Sequence, residues 1–182
     1  MGVNILGTGS YSPVNTVTNE MMSKIVETSD EWIITRTGIR ERRMSNGEPT
    51  WYMGAQAAKN AISDAGIEAS QIGLIIDATI TADFHTPSMA CLIQREIGAA
   101  GSACMDIGAA CSGFVYGMDV AMRYLMTDDS LKYVLVVANE NLSRITNFED
   151  RTTCVLFGDG AAAVVLEKSD KMFTSWLSAD GN

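Results

Sequence analysis

The segment Lys-Tyr-Val-Leu-Val-Val-Ala at 132–138, which is continuously apolar after its first residue, is the strongest guide to the fold of this chain. A strand without alternating polar residues is typical of the centre of a sheet that is covered on both faces. Further short apolar segments predict additional strands at 3–6, 72–79, 103–107 and 162–167. Because helical segments separate most of these strands, the chain is predicted to be α/β with a mostly parallel central sheet.

Helices are predicted where capping residues and stop signals bracket a helical spacing of apolar residues. They lie at 19–26, 30–37, 50–65, 89–97 and 114–126. The stretch Gly-Thr-Gly-Ser at 7–10 is predicted to be a tight turn, because it lacks both the GxGxxG pattern and the Walker lysine of phosphate loops. We expect an irregular segment at 139–153 and the beginning of another strand at 171–179.

Length and composition describe a globular domain. The chain has 182 residues, of which 47% are hydrophobic and 19% charged, so a buried core is expected. The net charge of −9 argues against general nucleic-acid binding. No apolar run approaches the roughly 18 residues of a membrane-spanning helix, and the first residues lack the basic region of a signal peptide. We therefore expect a cytoplasmic protein with neither a membrane nor a nucleic acid as its partner.

The cysteines form neither a metal-binding nor a disulfide pattern. There are four, Cys91, Cys104, Cys111 and Cys154, with no CxxC spacing, and His85 is the single histidine. A zinc site is therefore not expected, and a disulfide framework does not suit a cytosolic chain of this length.

Cys111 is the candidate nucleophile, because it lies at a predicted turn from strand to helix. The turn is the small-residue stretch Gly-Ala-Ala-Cys-Ser-Gly at 108–113, between the strand predicted at 103–107 and the helix predicted at 114–126. Backbone N–H groups and the dipole at the start of a helix favour an anion, here the thiolate. A role for Cys111 as a small buried hydrophobic residue remains the alternative.

Trp32 and Arg36 form a second candidate site. Their i, i+4 spacing on the helix predicted at 30–37 puts both side chains on one face. An indole beside a guanidinium makes a platform for a flat ring and an anionic group. A half-buried tryptophan with an arginine stacked on it would show the same spacing, so both interpretations stay open.

A cluster of arginines follows in the chain. Four of the thirteen basic residues lie within eight positions, at 36, 40, 42 and 43. One interpretation is a solvated face whose arginines pair with Glu31 and Glu41. The other is a small anion site for phosphate groups, and the sequence leaves both open.

Four stretches of the chain, taken together, resemble β-ketoacyl-acyl-carrier-protein synthase III, the initiating condensing enzyme of type II fatty-acid synthesis. They are GTGSY at 7–11, TSDEWIITRTGIRER at 28–42, AACSG at 109–113 and FGDGA at 157–161. The resemblance implies a thiolase-like fold made of two similar α/β/α halves. Residues 1–182 would be the N-terminal half, with the C-terminal half absent from this chain.

The resemblance also implies an activity and partners. Cys111 would take the acyl group of a short acyl-CoA and pass it to malonyl-acyl carrier protein after decarboxylation, which initiates fatty-acid synthesis. The enzyme would be an acyltransferase that works as a homodimer and needs no cofactor, since the coenzyme A thioester is its substrate. The backbone N–H of Cys111 is one candidate to stabilise the oxyanion that forms.

Matching positions imply roles for five further residues. Thr28, Trp32, Arg36 and Arg151 would bind coenzyme A, with the indole and the guanidinium groups holding the adenine and the nucleotide end. Thr86 would reach across the dimer into the acyl pocket of the partner. An aromatic residue is common there in short-chain members of the family, so threonine leaves room for a longer or branched primer.

One departure from the family keeps alternatives open. The family completes its active site with a His and an Asn from the C-terminal half, and neither stands at a matching position here. His85 is not a substitute by motif and is expected to lie at the surface or in a supporting position beside the site. The alternatives are a related condensing enzyme of secondary metabolism, a hydroxymethylglutaryl-CoA synthase, and a non-catalytic half-fold that dimerises or binds coenzyme A.

Overall fold

The computed structural model describes residues 2–181, and its centre is a five-stranded sheet. The strands are β1 (Gly2–Tyr11), β2 (Thr16–Thr18), β3 (Glu41–Arg43), β4 (Ile72–Ala78), β5 (Ala103–Ile107), β6 (Tyr133–Asn141) and β7 (Asp159–Ser169). The helices are α1 (Asn19–Met22), α2 (Asp30–Thr37), α3 (Thr50–Ala65), α4 (Met89–Ile97), α5 (Gly113–Thr127) and α6 (Arg151–Cys154). Short 3₁₀ turns lie at Ala69–Gln71, Ala110–Ser112 and Leu142–Arg144.

The strands of the central sheet follow the order β1-β7-β6-β4-β5. β4 pairs in parallel with both β5 and β6, whereas β7 pairs antiparallel with both β6 and β1. Four of the five strands therefore point in one direction, and β7 runs against them. This confirms the prediction of an α/β chain with a mostly parallel central sheet. β2 and β3 form a separate antiparallel pair.

Helices cover both faces of the central sheet, as the apolar run in β6 predicts. α3 and α4 pack on one face, where Ala57, Ala58 and Ala61 of α3 are fully buried. α5 packs on the other face, with Leu125 in its core. β6 lies between the two layers, and residues 134–137 of this strand have no exposed surface. Full burial of such a side chain stabilises the fold by about 1.5–3 kcal/mol, so β6 contributes strongly to the core.

β1 continues through Gly7 and Gly9, so the predicted tight turn is wrong. The backbone of α3 approaches these two glycines closely. A Cβ atom on Gly9 would lie 2.2 Å from the carbonyl oxygen of Ala57, and one on Gly7 would lie 2.5 Å from that of Ala61. The glycines are therefore required by the contact between helix and sheet. No pattern within the stretch itself indicates that contact.

Other local differences concern the end of β6, the helices α1 and α6, and the last residues of the chain. β6 extends to Asn141 and α6 forms at Arg151–Cys154, where we expected an irregular segment. The first helix ends at Met22 instead of residue 26, and residues 171–179 form no strand. A third apolar cluster packs α1, α2 and α6 against the β2–β3 pair. It includes Val17, Met22, Ile33, Cys154 and Val155.

α3 is 16 residues long. Within residues 2–181, no helix combines the length and the apolar character that crossing a membrane requires.

Candidate active site

Cys111 lies exposed in the 3₁₀ turn Ala110–Ser112, between the end of β5 and the first residue of α5. The preceding residue, Ala110, has a φ of +45°, a left-handed conformation that is strained for a residue with a side chain. Ser112 makes no side-chain cap on α5, so the N–H groups at the start of this helix are left to other acceptors. The thiol therefore stands at a helix N-terminus, as the sequence predicts.

Two glycines bring α5 close to the sheet and so set the position of Cys111. A Cβ atom on Gly113 would lie 3.1 Å from the Cβ of Ala78, at the end of β4, and one on Gly117 would lie 3.0 Å from Cγ1 of Val136. Contacts this short leave little room for a side chain. The start of α5 is therefore held against the carboxyl end of β4, at the edge where ligands bind in open α/β sheets. The second turn of α5 lies against the middle of β6.

Cys111 opens into an apolar cavity of about 430 Å³, which we call the Cys111 cleft. Its lining comes from the ends of β4 and β6, from the turn that carries the thiol, and from the segments that follow β6 and α6. The lining residues are Ala78, Ile80, Ala110, Cys111, Phe114, Ala138, Glu140, Leu142, Ile145, Thr146 and Phe157. A cavity of this size, with a thiol and mostly apolar walls, suits an acyl compound with an aliphatic chain.

Among the described residues that line the cleft, Glu140 alone is charged. Its carboxylate accepts hydrogen bonds from the Ile80 N–H at 2.9 Å and from the Thr79 hydroxyl at 3.2 Å. The Thr81 hydroxyl donates a further one. These contacts tie the end of β6 to the segment that follows β4. Glu140 thereby shapes the cleft wall at Ile80, and the thiol of Cys111 remains the candidate nucleophile in the lining.

A second group of predicted site residues comes together at Trp32. The guanidinium carbon of Arg36 lies 4.4 Å from the centroid of the Trp32 ring, and that of Arg151 lies 5.0 Å from it. Both distances are typical of cation–π contacts. Arg151 Nη1 also donates to the carbonyl oxygen of Glu27 at 3.2 Å. We call Trp32, Arg36 and Arg151 the Trp32 platform, and it joins α2 to α6.

α2 has its predicted bounds because both of its ends are capped. The Ser29 hydroxyl accepts the Trp32 N–H at 3.1 Å, and Gly38 ends the helix in a left-handed conformation with a φ of +74°. Thr28, just before this cap, is half-buried, and its hydroxyl oxygen has no hydrogen-bond partner in the part of the chain that the structure describes. Thr28 thus brings an unpaired hydroxyl next to Glu27, whose carbonyl holds the platform.

The segment from α6 to Phe157 connects the Trp32 platform to the Cys111 cleft. Arg151, the first residue of α6, lies over the Trp32 ring, and Phe157 lines the cleft. The seven residues from Arg151 to Phe157 span at most about 25 Å even when fully extended. The two sites are therefore neighbours along the chain.

Two further residues singled out in the sequence lie outside the lining of the cleft. Thr86 is exposed in the loop before α4 and does not line the Cys111 cleft of this single chain. His85 is exposed beside it, which confirms the expectation of a surface residue. The role predicted for Thr86 concerns a partner subunit and stays a prediction.

The arginine cluster divides between surface and interior. Arg43 pairs with Glu41 at 3.7 Å, as expected of a solvated face. Arg42 is only 6% exposed, and its guanidinium donates to three oxygens of neutral groups. Burial lowers the pKa of Arg42. A solvated face is therefore the wrong description of Arg42, because the alternation along β3 turns its side chain inward.

Cys104 and Cys154 are less exposed than Cys111. Burial, together with the neighbouring Cys91 thiol, raises the pKa of Cys104 to about 12. Burial also raises the pKa of Cys154. Both are therefore poor thiolates at neutral pH. All four cysteines are free, and no cluster of three or more His, Cys, Asp or Glu side chains suited to a metal ion occurs within residues 2–181.

Some residues of the cleft were not found by sequence reasoning. Glu140 could have been predicted as a site residue from the sequence. It is the first charged residue after the apolar run at 132–138, at the end of a central strand, where ligands bind in open α/β sheets. Ile80 and Ile145 had no comparable signal. Their side chains reach the cleft only through the course of the segments that follow β4 and β6.

A cysteine at the start of a helix, at the carboxyl end of β4 and open to an apolar cleft, agrees with the thiolase-like condensing enzyme that the resemblance implies. A family model described as 3-oxoacyl-[acyl-carrier-protein (ACP)] synthase III matches residues 105–181. A β-ketoacyl-[acyl-carrier-protein] synthase III of Clostridium botulinum (strain Langeland) is 54% identical over 167 residues, which are 92% of this chain and 51% of the relative.

Solved structures show the same relationship. The 3-oxoacyl-[acyl-carrier-protein] synthase III from Aquifex aeolicus VF5 matches with a TM-score of 0.90 at 49% identity, over 93% of this chain and 55% of that chain. The priming β-ketosynthase from the R1128 polyketide biosynthetic pathway matches with a TM-score of 0.89 at 36% identity, over 93% and 51%. Over the length that it spans, the chain belongs to the β-ketoacyl-[acyl-carrier-protein] synthase III family. It spans about half the length of the curated relatives it matches.

Proposed function

We propose that the chain is the amino-terminal half of a β-ketoacyl-acyl-carrier-protein synthase III. The complete enzyme transfers a short acyl group from an acyl-CoA to malonyl-acyl carrier protein and so initiates fatty-acid synthesis. The single observation that carries this proposal is the exposed Cys111 at the N-terminus of α5, open to an apolar cleft of about 430 Å³. The names of the relatives agree with it.

The proposed reaction has two steps. The Cys111 thiolate attacks the carbonyl carbon of the acyl-CoA, a new thioester bond forms, and the thiolate of coenzyme A leaves. Malonyl-acyl carrier protein then loses carbon dioxide, and the carbanion that results attacks the acyl-enzyme carbonyl. A carbon–carbon bond forms and Cys111 leaves again as the thiolate. The His and Asn that assist decarboxylation would come from the remaining half of the protein.

The Trp32 platform is the proposed site for the nucleotide end of coenzyme A. The Trp32 ring offers a stacking face for adenine, and the guanidinium groups of Arg36 and Arg151 offer positive charge to phosphates. Thr28 would add its unpaired hydroxyl. The thioester itself supplies the activated acyl group, so the proposed chemistry requires no further cofactor.

The acyl primer is proposed to lie in the Cys111 cleft, whose walls are mostly apolar. A longer or branched primer fits this proposal, because Thr86 is smaller than the aromatic residue common at that position. Thr86 would contribute from the partner subunit. β5 forms one edge of the central sheet and so offers a strand to which a second copy could pair in a homodimer.

The cytoplasmic location is also part of the proposal, and it rests on the four free cysteines and on the sequence composition. The alternatives from the sequence are not favoured. The priming ketosynthase of a polyketide pathway shares 36% identity, whereas the Aquifex synthase III shares 49%. A non-catalytic half-fold gives no reason for an exposed thiol at a helix N-terminus.

The test is the intact mass of the full-length protein before and after incubation with acetyl-CoA. We expect one acetyl group per chain, and we expect it to be absent from Cys111→Ala. Cys91→Ala is the matched control, because Cys91 is the other exposed cysteine and should leave the adduct unchanged. An adduct that persists in Cys111→Ala, or none on the folded protein, would overturn the proposal.

A further inference from the structure

Arg42 is a buried cation that bonds to two separate segments of the chain, residues 17–19 and Val155. Its Nη1 donates to the Val17 carbonyl oxygen at 3.1 Å, and its Nη2 donates to Asn19 Oδ1 at 2.7 Å and to the Val155 carbonyl oxygen at 3.2 Å. Burying a charge costs free energy unless hydrogen bonds satisfy it. The planar guanidinium directs several donors in fixed directions, so one side chain connects these segments.

Asn19 extends these contacts to α2. It is only 1% exposed, and its amide nitrogen donates to Asp30 Oδ1 at 2.9 Å and to the Ile39 carbonyl oxygen at 2.7 Å. Asp30 is the first residue of α2, and Ile39 follows the glycine that ends this helix. A single amide therefore holds both ends of α2 while its oxygen faces Arg42.

The contacts of Arg42 also reach α6. Val155 is the C-terminal cap of α6, and Arg151 is the first residue of that helix. The Arg151 guanidinium lies 5.0 Å from the centroid of the Trp32 ring, which belongs to α2. The two helices that build the Trp32 platform are thus joined in the interior by Asn19 and Arg42, neither of which is part of the platform.

We propose that Arg42 and Asn19 are positioning residues for the nucleotide end of the coenzyme A thioester. This rests on the proposed function, in which the Trp32 platform binds that end. The two residues hold α2 and α6 at the separation that puts the Arg151 guanidinium over the Trp32 ring. A misplacement of about 1 Å is enough to weaken a positioned contact. Loss of either residue should therefore weaken binding of the nucleotide.

The test compares two acetyl donors on the full-length protein, acetyl-CoA and acetyl-pantetheine, which lacks the nucleotide. Arg42→Lys keeps the charge but replaces the planar fork with a single nitrogen. We expect it to raise the KM for acetyl-CoA by about tenfold, which corresponds to about 1.4 kcal/mol. The kcat and the KM for acetyl-pantetheine should stay within about twofold of the wild-type values.

Asn19→Asp is the second variant, and it decides the question if Arg42→Lys does not fold. It keeps an oxygen for Arg42 and loses the amide donor to Asp30 and Ile39, so the same selective rise in KM is expected. Arg123→Lys is the matched control. It makes the same change at an exposed arginine of α5, which pairs with Asp119 at 2.7 Å, and should leave both KM values unchanged.

Trp32→Ala separates failure of this inference from failure of the proposed function, because it removes the ring of the platform itself. If Trp32→Ala raises the KM for acetyl-CoA selectively, whereas the folded Arg42→Lys and Asn19→Asp variants keep the wild-type ratio of the two KM values, the positioning role is wrong and the proposed function stands. An equal loss with both donors would also overturn the positioning role. If Trp32→Ala leaves the ratio unchanged, the proposed nucleotide site is itself wrong.

Discussion

Asp77 is expected to destabilise the folded protein, and Asp77→Val is expected to relieve this. Asp77 lies in β4 with no exposed surface, and neither carboxylate oxygen has a hydrogen-bond partner among the described residues. Burial, reinforced by the charges of Asp106, Glu140 and Asp83, raises the pKa of Asp77 well above its ordinary value. Valine is similar in size to aspartate and suits a buried strand.

The size of the effect follows from burial and from proton binding. A buried polar group without a partner costs about 1–3 kcal/mol, so Asp77→Val should stabilise the protein by at least this amount near pH 5. The folded state keeps the Asp77 proton above the ordinary pKa, whereas the unfolded chain releases it. Wild-type stability therefore falls with rising pH, by about 1.4 kcal/mol per unit for one proton. The variant lacks this fall, so its advantage in stability should grow between pH 5 and pH 6, by up to that amount.

The assay is urea unfolding of both full-length proteins at pH 5 and pH 6, followed by tryptophan fluorescence. Asp170→Val is the matched control, because Asp170 is exposed. Its stability should stay within about 0.5 kcal/mol of wild type at both pH values. The reasoning is refuted if Asp77→Val is no more stable than wild type, or if the difference between the two proteins does not widen with pH.

Two further predictions concern the close packing and the caps. Gly9→Ala should destabilise the protein by about 3 kcal/mol or more in urea unfolding, because the new Cβ would lie 2.2 Å from a backbone oxygen of α3. Gly108→Ala, whose Cβ would meet nothing within 4 Å, is its control and should change the stability little; equal losses would contradict the packing argument. Ser29→Ala removes the N-cap of α2 and should cost about 1 kcal/mol in the same assay. Ser29→Thr keeps a capping hydroxyl and should recover most of the lost stability. An equal loss of stability in both variants would contradict the capping role.

Local signals in the sequence determined the bounds of four elements. α2, α3, α4 and β5 have the bounds that the sequence predicts. For the three helices the reason is that caps and left-handed glycines act within a single helical turn. The candidate nucleophile could be found for the same reason. The strand, the small-residue turn and the helix that together mark Cys111 are contiguous in the chain. The pairing of Trp32 with Arg36 is also local, since i and i+4 share one helix face.

Packing between distant segments decided the rest. From the sequence alone, Gly7 and Gly9 are predicted to form a turn. In the structure they lie in β1, where the backbone of α3 packs closely against them. In the sequence, Arg42 is one of four clustered arginines and nothing sets it apart from the others. In the structure, its guanidinium is buried and donates to residues of β2 and α1 and to the cap of α6. Within one chain, sequence spacing says nothing of which remote element lies beside a given face. Which elements pack together is determined by the apolar surface that they bury against each other, and this becomes visible only in the assembled fold.

The candidate site divides in the same way. The sequence by itself determined the chemistry, a thiol at a helix start and an indole beside a guanidinium, because those properties belong to neighbouring residues. Only the tertiary structure brought Arg151 to 5.0 Å from the Trp32 ring and closed the Cys111 cleft with residues that follow three separate elements. The physical reason is that α6 docks on α2 through the buried cluster around Ile33 and Val155, a contact between segments far apart in the chain.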